Sequence, residues 1–199
     1  MIEIRIHGRG GQGSVTLAEL LAEAAYYSGL MSQAFPNFGV ERRGAPVTAY
    51  VRLDKKFIRL RSQVYEPDYI IVQDASLIGG VDPVKSGKAG IRQGELFNGV
   101  NVFAGAKKGT VILINTKKPA SDFKAPAGVR IKTIYATGLA LEVIGRPIVN
   151  TILLGAFAGL IGTIKMEAVE KVITERFSGE IAQKNIAAAK KGYTAISNN

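Results

Sequence analysis

The chain has 199 residues, 47% of them hydrophobic and 21% charged, with a formal net charge of +10; this profile fits one globular domain over residues 1–199 and excludes a disordered chain. With no cysteine and one histidine, the chain can form no disulfide, iron–sulfur, thiolate-zinc or histidine-rich metal site. The longest apolar run, 152–164, is shorter than the roughly 20 residues of a membrane-spanning helix, and the N-terminus lacks a signal-peptide core, so we expect a cytoplasmic protein without a membrane anchor.

The first predicted elements are a strand, a glycine-rich loop and a helix. Isoleucine alternates with charged residues over 2–6, which is typical of a strand. The sequence "HGRGGQG" follows at 7–13, and apolar residues then recur at helical spacing over 14–28, up to Gly29. "LMSQAF" at 30–35 predicts a second strand.

The middle of the chain predicts further strands. "VTAYVRLDKKFIRLRS" at 47–62 is typical of two strands joined by a turn at Asp54–Lys56, with Arg59 and Arg61 on one face of the second strand. Apolar runs predict buried strands at 68–74 and 110–116, and "VRIKTIYA" at 129–136 predicts a further strand.

Residues 79–109 are rich in glycine. "DPVKSGKAGIRQG" within them predicts an exposed basic loop, and a short helix is expected inside 95–107. From Thr137 onward the pattern is helical: one helix ends at Gly145, a second starts with Asn150 as its expected N-cap, and two amphipathic helices follow. Strands alternating with helices, then a helical C-terminal part, predict an α/β fold with a largely parallel central sheet.

The glycine loop carries a motif with several possible uses. Gly8, Gly10 and Gly13 follow the spacing G-x-G-x-x-G between a strand and a helix, where a helix N-terminus attracts anions. The glycines either permit a tight turn and close packing, or hold a cofactor phosphate, or form a complete NAD site. The last needs a carboxylate at the end of the second strand, and none is present there: Glu23 lies in the helix and Glu41 beyond a proline.

A second stretch, "AFPNFGVERRGAP" at 34–46, combines aromatic residues with adjacent arginines. Arg42 and Arg43 either clamp phosphate or carboxylate oxygens, or pair with Glu41, or are simply solvated. His7 has a similar ambiguity, because at the mouth of the glycine loop it either donates to a phosphate or has a structural role. The charge of +10 is not accompanied by a nucleic-acid-binding motif. We therefore expect no nucleic-acid partner, and anionic cofactors or acidic proteins instead.

Four stretches together carry a resemblance to a known family: "HGRGGQG", "AFPNFGVERRGAPV", "GRPIVNTILLGAFAG" and "ERFSGEIAQKNIAAAKKGY". In order and spacing they resemble the gamma subunit of 2-oxoacid:ferredoxin oxidoreductases, over nearly the whole chain. The segment 79–105 departs from the family by being longer and more basic. Within it, Lys85–Arg92 either docks an additional subunit or is a plain surface loop.

The resemblance implies a function and a fold. Family members convert a 2-oxo acid and coenzyme A to an acyl-CoA and carbon dioxide, and pass the electrons to ferredoxin or another acceptor. Thiamine diphosphate and Mg²⁺ are held by alpha and beta subunits, and iron–sulfur clusters by further subunits, including a ferredoxin-like one. The gamma subunit is a three-layer α/β/α domain that borders the coenzyme A path, binds no cofactor alone and is inactive alone.

The resemblance also implies which residues form the site, without predicting a catalytic or metal-binding residue. Asn150 and Thr151 match the family, but helix capping is the favoured explanation. A stand-alone Rossmann-like NAD(P)-binding dehydrogenase is the main alternative function. The residues implied to face coenzyme A, or the interface beside it, are Gly8, Arg9, Gly10, Gly11, Gln12, Gly13, Arg42 and Arg43.

Overall fold

The computed structural model describes residues 1–37, 44–78 and 100–197. Arg42, Arg43 and the predicted basic loop at 82–94 lie outside these residues. The strands are β1 (Ile2–Arg9), β2 (Met31–Asn37), β3 (Pro46–Asp54), β4 (Tyr69–Val72), β5 (Val111–Asn115) and β6 (Arg130–Ile134). The helices are α1 (Ser14–Tyr27), α2 (Ala136–Ile144), α3 (Asn150–Ile161), α4 (Met166–Arg176) and α5 (Gly179–Ser197).

The six strands form one sheet in the order β2-β3-β1-β4-β5-β6. Strands β1, β4, β5 and β6 pair in parallel, whereas β3 is antiparallel to both of its neighbours, β1 and β2. The prediction of a largely parallel sheet is confirmed. The chain leaves β1 through α1, forms β2 at the edge and returns as β3 into the gap between β2 and β1.

The predicted second strand of the hairpin at 47–62 is wrong. The turn forms, because the Asp54 side chain accepts a hydrogen bond from the Lys56 amide at 3.1 Å, but the residues after it are not in a strand. Both edges of β3 are already paired, with β1 and β2, so β3 has no free edge for another strand. Ile58 is buried and Leu60 is 47% exposed, which breaks the predicted alternation. A helix was also expected within 95–107. The described residues of that range, 100–107, form turns and contain no helix.

One face of the sheet is covered by helices. Ile4, Ile6 and Leu113 of the sheet join buried residues from all five helices in one apolar core. Helix α3 is buried over most of its length and packs closely on α5. At two positions this approach requires glycine, since a Cβ on Gly155 would overlap the Ala189 carbonyl group and one on Gly192 would overlap that of Ile152.

The opposite face is covered by irregular segments and has two parts. Across β4 and β5 it is apolar, with Leu77 and Val102 packed on the strands. Across β3 and β1 it contains buried charge: the Arg52 guanidinium pairs with Glu3 at 2.8 Å and donates to the Gln63 carbonyl group at 3.1 Å. Cover on both faces is consistent with a three-layer α/β arrangement. Among the described helices none is both long and apolar enough to cross a membrane.

The contact between α3 and α5 gives a stability prediction. Gly155→Ala is expected to lower the free energy of unfolding by about 1–3 kcal/mol, because the added methyl group meets backbone that cannot rotate away. Gly159→Ala in the same helix is the control, since its Cβ would lie 3.0 Å from the Ile196 methyl group and 3.1 Å from the Tyr193 carbonyl oxygen, which are tight contacts without the overlap found at Gly155. Urea unfolding of the purified chains measures both. Equal losses for the two variants would contradict the close-packing explanation.

Candidate functional site

The carboxyl ends of the parallel strands meet at one edge of the sheet. After β1 the chain turns toward β2, whereas the chain after β4 continues to β5 on the other side. The loops after β1 and β4 therefore diverge, and in α/β proteins ligands bind in the crevice at such a switch point. The glycine loop, residues 9–13, lies at this position.

The glycines of the loop have identifiable conformational roles. Gly11 and Gly13 have φ angles of 91° and 76°, in the left-handed region that favours glycine. A Cβ on Gly8 would overlap the Ser14 hydroxyl group and the Gln73 amide, and one on Gly13 would overlap the Asn150 amide. The tight-turn and close-packing interpretation is thus supported for these glycines, and Gly11 is the exposed one among them.

The glycine loop meets the end of the second motif. The Gly10 amide donates to the Ala45 carbonyl group at 2.8 Å, and the Gly44 amide donates to the Gly10 carbonyl group at 3.0 Å. Two stretches that are separated in sequence are therefore paired at the switch point. Because Gly44 directly follows Arg43 in the chain, these bonds bring the flank of the arginine pair to the glycine loop.

The Arg9 side chain joins three loops. Its guanidinium lies 3.1 Å from the Asp74 carboxylate and donates to the Ser76 hydroxyl group at 2.8 Å and to the Gly44 carbonyl group at 3.1 Å. Gln12 supports this contact, because its side chain accepts from the Arg9 amide at 2.8 Å and donates to Asp74 at 3.2 Å. Arg9 and Gln12 thus have partners within the chain, which fix the shape of the loop.

Gln73, at the end of β4, connects the glycine loop to two helix N-termini. Its side chain is buried, accepts from the Ser14 hydroxyl group at 2.5 Å, and donates to the Asn150 side chain at 3.2 Å. Ser14 starts α1 and Asn150 starts α3. The expected N-cap role of Asn150 is wrong: Val149 occupies the cap position, without a side-chain hydrogen bond, because the Asn150 amide is used by Gln73 instead.

The neighbouring strand end repeats this arrangement. Asn115, the last residue of β5, donates to the Gln73 carbonyl group at 2.8 Å and to the Thr137 hydroxyl group at 2.9 Å. Its side-chain oxygen accepts from the Thr137 amide at 3.1 Å, in the first turn of α2. Thr151, one residue into α3, turns away from this network and donates to Asn185 at 2.9 Å. The N-termini of α1, α2 and α3 are therefore joined through Gln73 and Asn115.

His7 does not reach the glycine loop. It lies on the face of the sheet away from the helices, 3% exposed, and its Nε2 accepts from Arg5 Nε at 3.0 Å. Burial, with the Arg5 charge in addition, lowers the pKa of His7 to about 3, so the ring is neutral at physiological pH. Arg5 also donates to the Val102 carbonyl group at 3.1 Å. Of the two interpretations of His7, the structural role is therefore correct, and donation to a phosphate at the loop is not.

Two clefts open at the same edge, beyond β5, and each is lined by two lysines and one carboxylate, Glu142 in the first and Asp122 in the second. One, of about 560 Å³, includes Lys117, Lys118 and Tyr135 in its lining, and the Lys117 ammonium lies 4.6 Å from the centre of the Tyr135 ring. The other, of about 530 Å³, shares Lys118 and adds Lys124 and Ser76, the residue that also holds Arg9. Among the described residues no cluster of three or more His, Asp or Glu side chains is arranged to hold a metal.

The sheet order argues against a dinucleotide site. In the dinucleotide fold the carboxylate that binds the ribose stands at the end of a strand adjacent to β1. Here β3 lies between β1 and β2, so the end of β2 is about 10 Å away, two strand spacings. Residues 31–37 of β2 contain no carboxylate, and Glu41 lies outside the described residues.

The residues that the sequence analysis missed are Gln73, Asp74, Asn115 and Thr137. Their signal was present, because the first three directly end the apolar runs at 68–74 and 110–116. Polar residues that end parallel strands lie at the edge where ligands bind.

The Arg9–Asp74 contact gives a pH prediction. Partial burial acts to raise the pKa of the Asp74 carboxyl, but hydrogen bonds from Ser76 and Gln12 and the Arg9 charge outweigh it and hold the pKa below its usual value. The stabilisation is therefore present above the unfolded-state pKa and lost as the pH falls through the folded-state value. At pH 7 Asp74→Asn should unfold about 1–2 kcal/mol more easily than the parent, and below about pH 4 the difference should shrink.

Urea unfolding at several pH values measures this difference, with Asp122→Asn as the control at an exposed carboxylate. A difference between Asp74→Asn and the parent that does not change with pH would contradict the ion-pair explanation.

Comparison with known proteins identifies the family. The family model described as pyruvate ferredoxin/flavodoxin oxidoreductase matches residues 3–195. Pyruvate synthase subunit PorC of Methanocaldococcus jannaschii is 50% identical over 98% of this chain and 97% of its own length. The pyruvate/ketoisovalerate oxidoreductases common subunit gamma of Thermococcus litoralis is 46% identical, over 97% and 96%.

Solved structures agree with these relatives. The crystal structure of pyruvate oxidoreductase subunit PORC from Thermotoga maritima has a TM-score of 0.79 and 32% identity, and the match covers 98% of this chain and 96% of that one. The fold also occurs in the 2-oxoglutarate:ferredoxin oxidoreductase of Magnetococcus marinus, solved with 2-oxoglutarate, coenzyme A and succinyl-CoA bound, at a TM-score of 0.73 and 22% identity, where all of this chain matches 31% of that one. A stand-alone Rossmann-like dehydrogenase is not supported. The chain belongs to the pyruvate ferredoxin/flavodoxin oxidoreductase family, among its gamma-type subunits.

Proposed function

We propose that this chain is the gamma subunit of a complex that converts pyruvate and coenzyme A to acetyl-CoA and carbon dioxide, with electrons passed to ferredoxin or flavodoxin. The observation that carries the proposal is the 50% identity to the Methanocaldococcus jannaschii PorC subunit over nearly the whole of both chains. The Thermococcus litoralis relative is named as common to pyruvate and ketoisovalerate enzymes. Selection of the 2-oxo acid therefore belongs to other subunits.

The composition supports a division of labour in this complex. Decarboxylation is supplied by thiamine diphosphate with Mg²⁺, which we assign to alpha and beta subunits. Electron transfer through iron–sulfur clusters requires cysteine ligands, and this chain has none, so we assign the clusters to other subunits, including a ferredoxin-like one. The gamma chain, one domain over 1–199, has a binding and architectural role in the cytoplasm, without nucleic-acid or membrane partners.

The glycine loop is the part of this chain that we assign to coenzyme A. Helix α1 starts directly after Gly13 without a side-chain cap, so the positive end of its dipole faces the loop. Coenzyme A carries phosphate groups that suit such an end. Because Arg9 is held by Asp74 and Ser76, we assign it the role of fixing the loop, and we assign the direct contact to the exposed loop backbone at Gly11.

The arginine pair completes the proposed site. Arg42 and Arg43 directly precede Gly44 in the sequence, and Gly44 pairs with Gly10; we assign the two arginines to the same site. Guanidinium groups bind phosphate oxygens through paired N–H donors. The lysines of the adjoining clefts, Lys117 and Lys118, add positive potential at the same edge.

Purification of the complex tests the proposed function. The tagged chain, expressed in its own host with its natural partners, should co-purify with thiamine- and iron–sulfur-containing subunits. The eluate should reduce a viologen dye when pyruvate and coenzyme A are both added, and lose this activity when either is left out. A panel of other 2-oxo acids measures the substrate preference. A chain that elutes alone and binds NAD(P) would overturn the proposal.

A matched pair of glycines tests the coenzyme A contact. Gly11 and Gly29 are both exposed and have φ angles of 91° and 90°, at opposite ends of α1. Alanine therefore introduces similar backbone strain at each, but only Gly11 lies in the loop. In the purified complex, Gly11→Ala should raise the KM for coenzyme A about tenfold, equivalent to about 1.4 kcal/mol, with the KM for pyruvate unchanged. Gly29→Ala should change neither value. Equal effects of the two substitutions would contradict the contact.

A further inference from the structure

The segment that was expected to be a strand has unusual exposure. Residues 55–65, here named the 55–65 segment, lie between β3 and β4. Phe57 is 74% exposed, Tyr65 is 68% exposed and Leu60 is 47% exposed. Isolated exposed apolar residues are normal on protein surfaces, whereas three in one short segment indicate an interaction site.

This exposure is not explained by a loosely attached segment. Ile58 and Val64 are buried, at 9% and 2% exposure, and fix the segment to the body of the protein. The Gln63 carbonyl group accepts from the Arg52 guanidinium at 3.1 Å, and the Gln63 side chain donates to Asn37 at 2.9 Å. The exposed side chains are thus presented by an anchored backbone, so little entropy is lost when they bind.

The segment also has a uniform charge. It contains four basic residues and no acidic one. None of the ion pairs between described residues involves Arg59 or Arg61, and both side chains are exposed. Aromatic residues and arginine are the types most enriched at the energetic centres of protein interfaces. A complementary surface would be acidic around an apolar centre.

We propose that the 55–65 segment docks this chain onto another subunit of the same oxidoreductase complex, at a surface with an apolar centre and an acidic rim. This proposal rests on the proposed function, which supplies the other subunits. A second copy of this chain is a poor occupant, because it would bring the same four cations and a net charge of +10 against them. An apolar centre is needed to bury Phe57 and Leu60, which a purely electrostatic partner would leave in water.

The docking surface is tested in the complete complex, made by co-expression of the tagged chain with its own partner subunits. The first variant is Phe57→Ser with Leu60→Ser, and the second is Arg59→Glu with Arg61→Glu. The control is Leu141→Ser with Ile181→Ser, which changes two side chains that are 48% and 61% exposed on separate helices, α2 and α5. Circular dichroism and urea unfolding confirm that each variant folds, and if one test variant does not fold the other decides.

The amount of tagged chain retained with its partners is measured by size-exclusion chromatography at equal concentrations. Both test variants should bind about tenfold more weakly or worse, whereas the parent and the control are retained equally. Retention of either folded test variant at the parent level overturns the proposal. Loss of a self-associated form of this chain in the variants, with the complex intact, overturns it in favour of a second copy. Failure of the parent itself to assemble is a different result, which overturns the proposed function.

Discussion

The buried side chain of Gln73 determines how the functional edge of this protein is assembled. It has hydrogen bonds to Ser14 at the start of α1 and Asn150 at the start of α3, while its backbone carbonyl group accepts from Asn115. A buried amide without these partners would lose about 1–3 kcal/mol for each unsatisfied group. The network therefore fixes where the first helices begin relative to the strands. The glycine loop and the Arg9 contacts are built on this framework.

Most of the fold could be predicted from local pattern, because the elements that matter have strong periodicity. The strands at 69–72 and 111–115 are short apolar runs, the strand at 130–134 alternates polar and apolar residues, and the helices that follow it are amphipathic or buried. The strand predicted within 57–62 failed for a non-local reason, since β1 and β2 occupy both edges of β3. Sheet order depends on pairing between segments that are distant in sequence. The residue pattern of one segment carries no information about that pairing.

The candidate site also has a part that local sequence predicts and a part that depends on distant residues. The glycine positions could be predicted, because a strand, a tight turn and a helix follow one another in the sequence. The partners of Arg9 could not, since Asp74 and Ser76 lie 65 and 67 residues further along the chain. Alone, "HGRGGQG" is equally compatible with an arginine that faces a ligand and one that holds loops together. Only the arrangement of the strand ends shows that the Arg9 guanidinium contacts Asp74, Ser76 and Gly44 and so holds these loops together.

The two surfaces that carry the proposals start at opposite ends of the sheet. The glycine loop follows the carboxyl end of β1, whereas the 55–65 segment starts at the other end of the sheet, where Asp54 lies 3.3 Å from the Met1 amino group. From there the segment runs back along the sheet, since the Gln63 side chain donates to Asn37 at 2.9 Å, and Asn37 pairs with Thr48 opposite His7. Since the loop is held by bonds within the chain, its shape does not depend on the docked partner. The framework of the glycine loop is thus formed within this chain, and under the proposed function the partner subunits bring the cofactors to it.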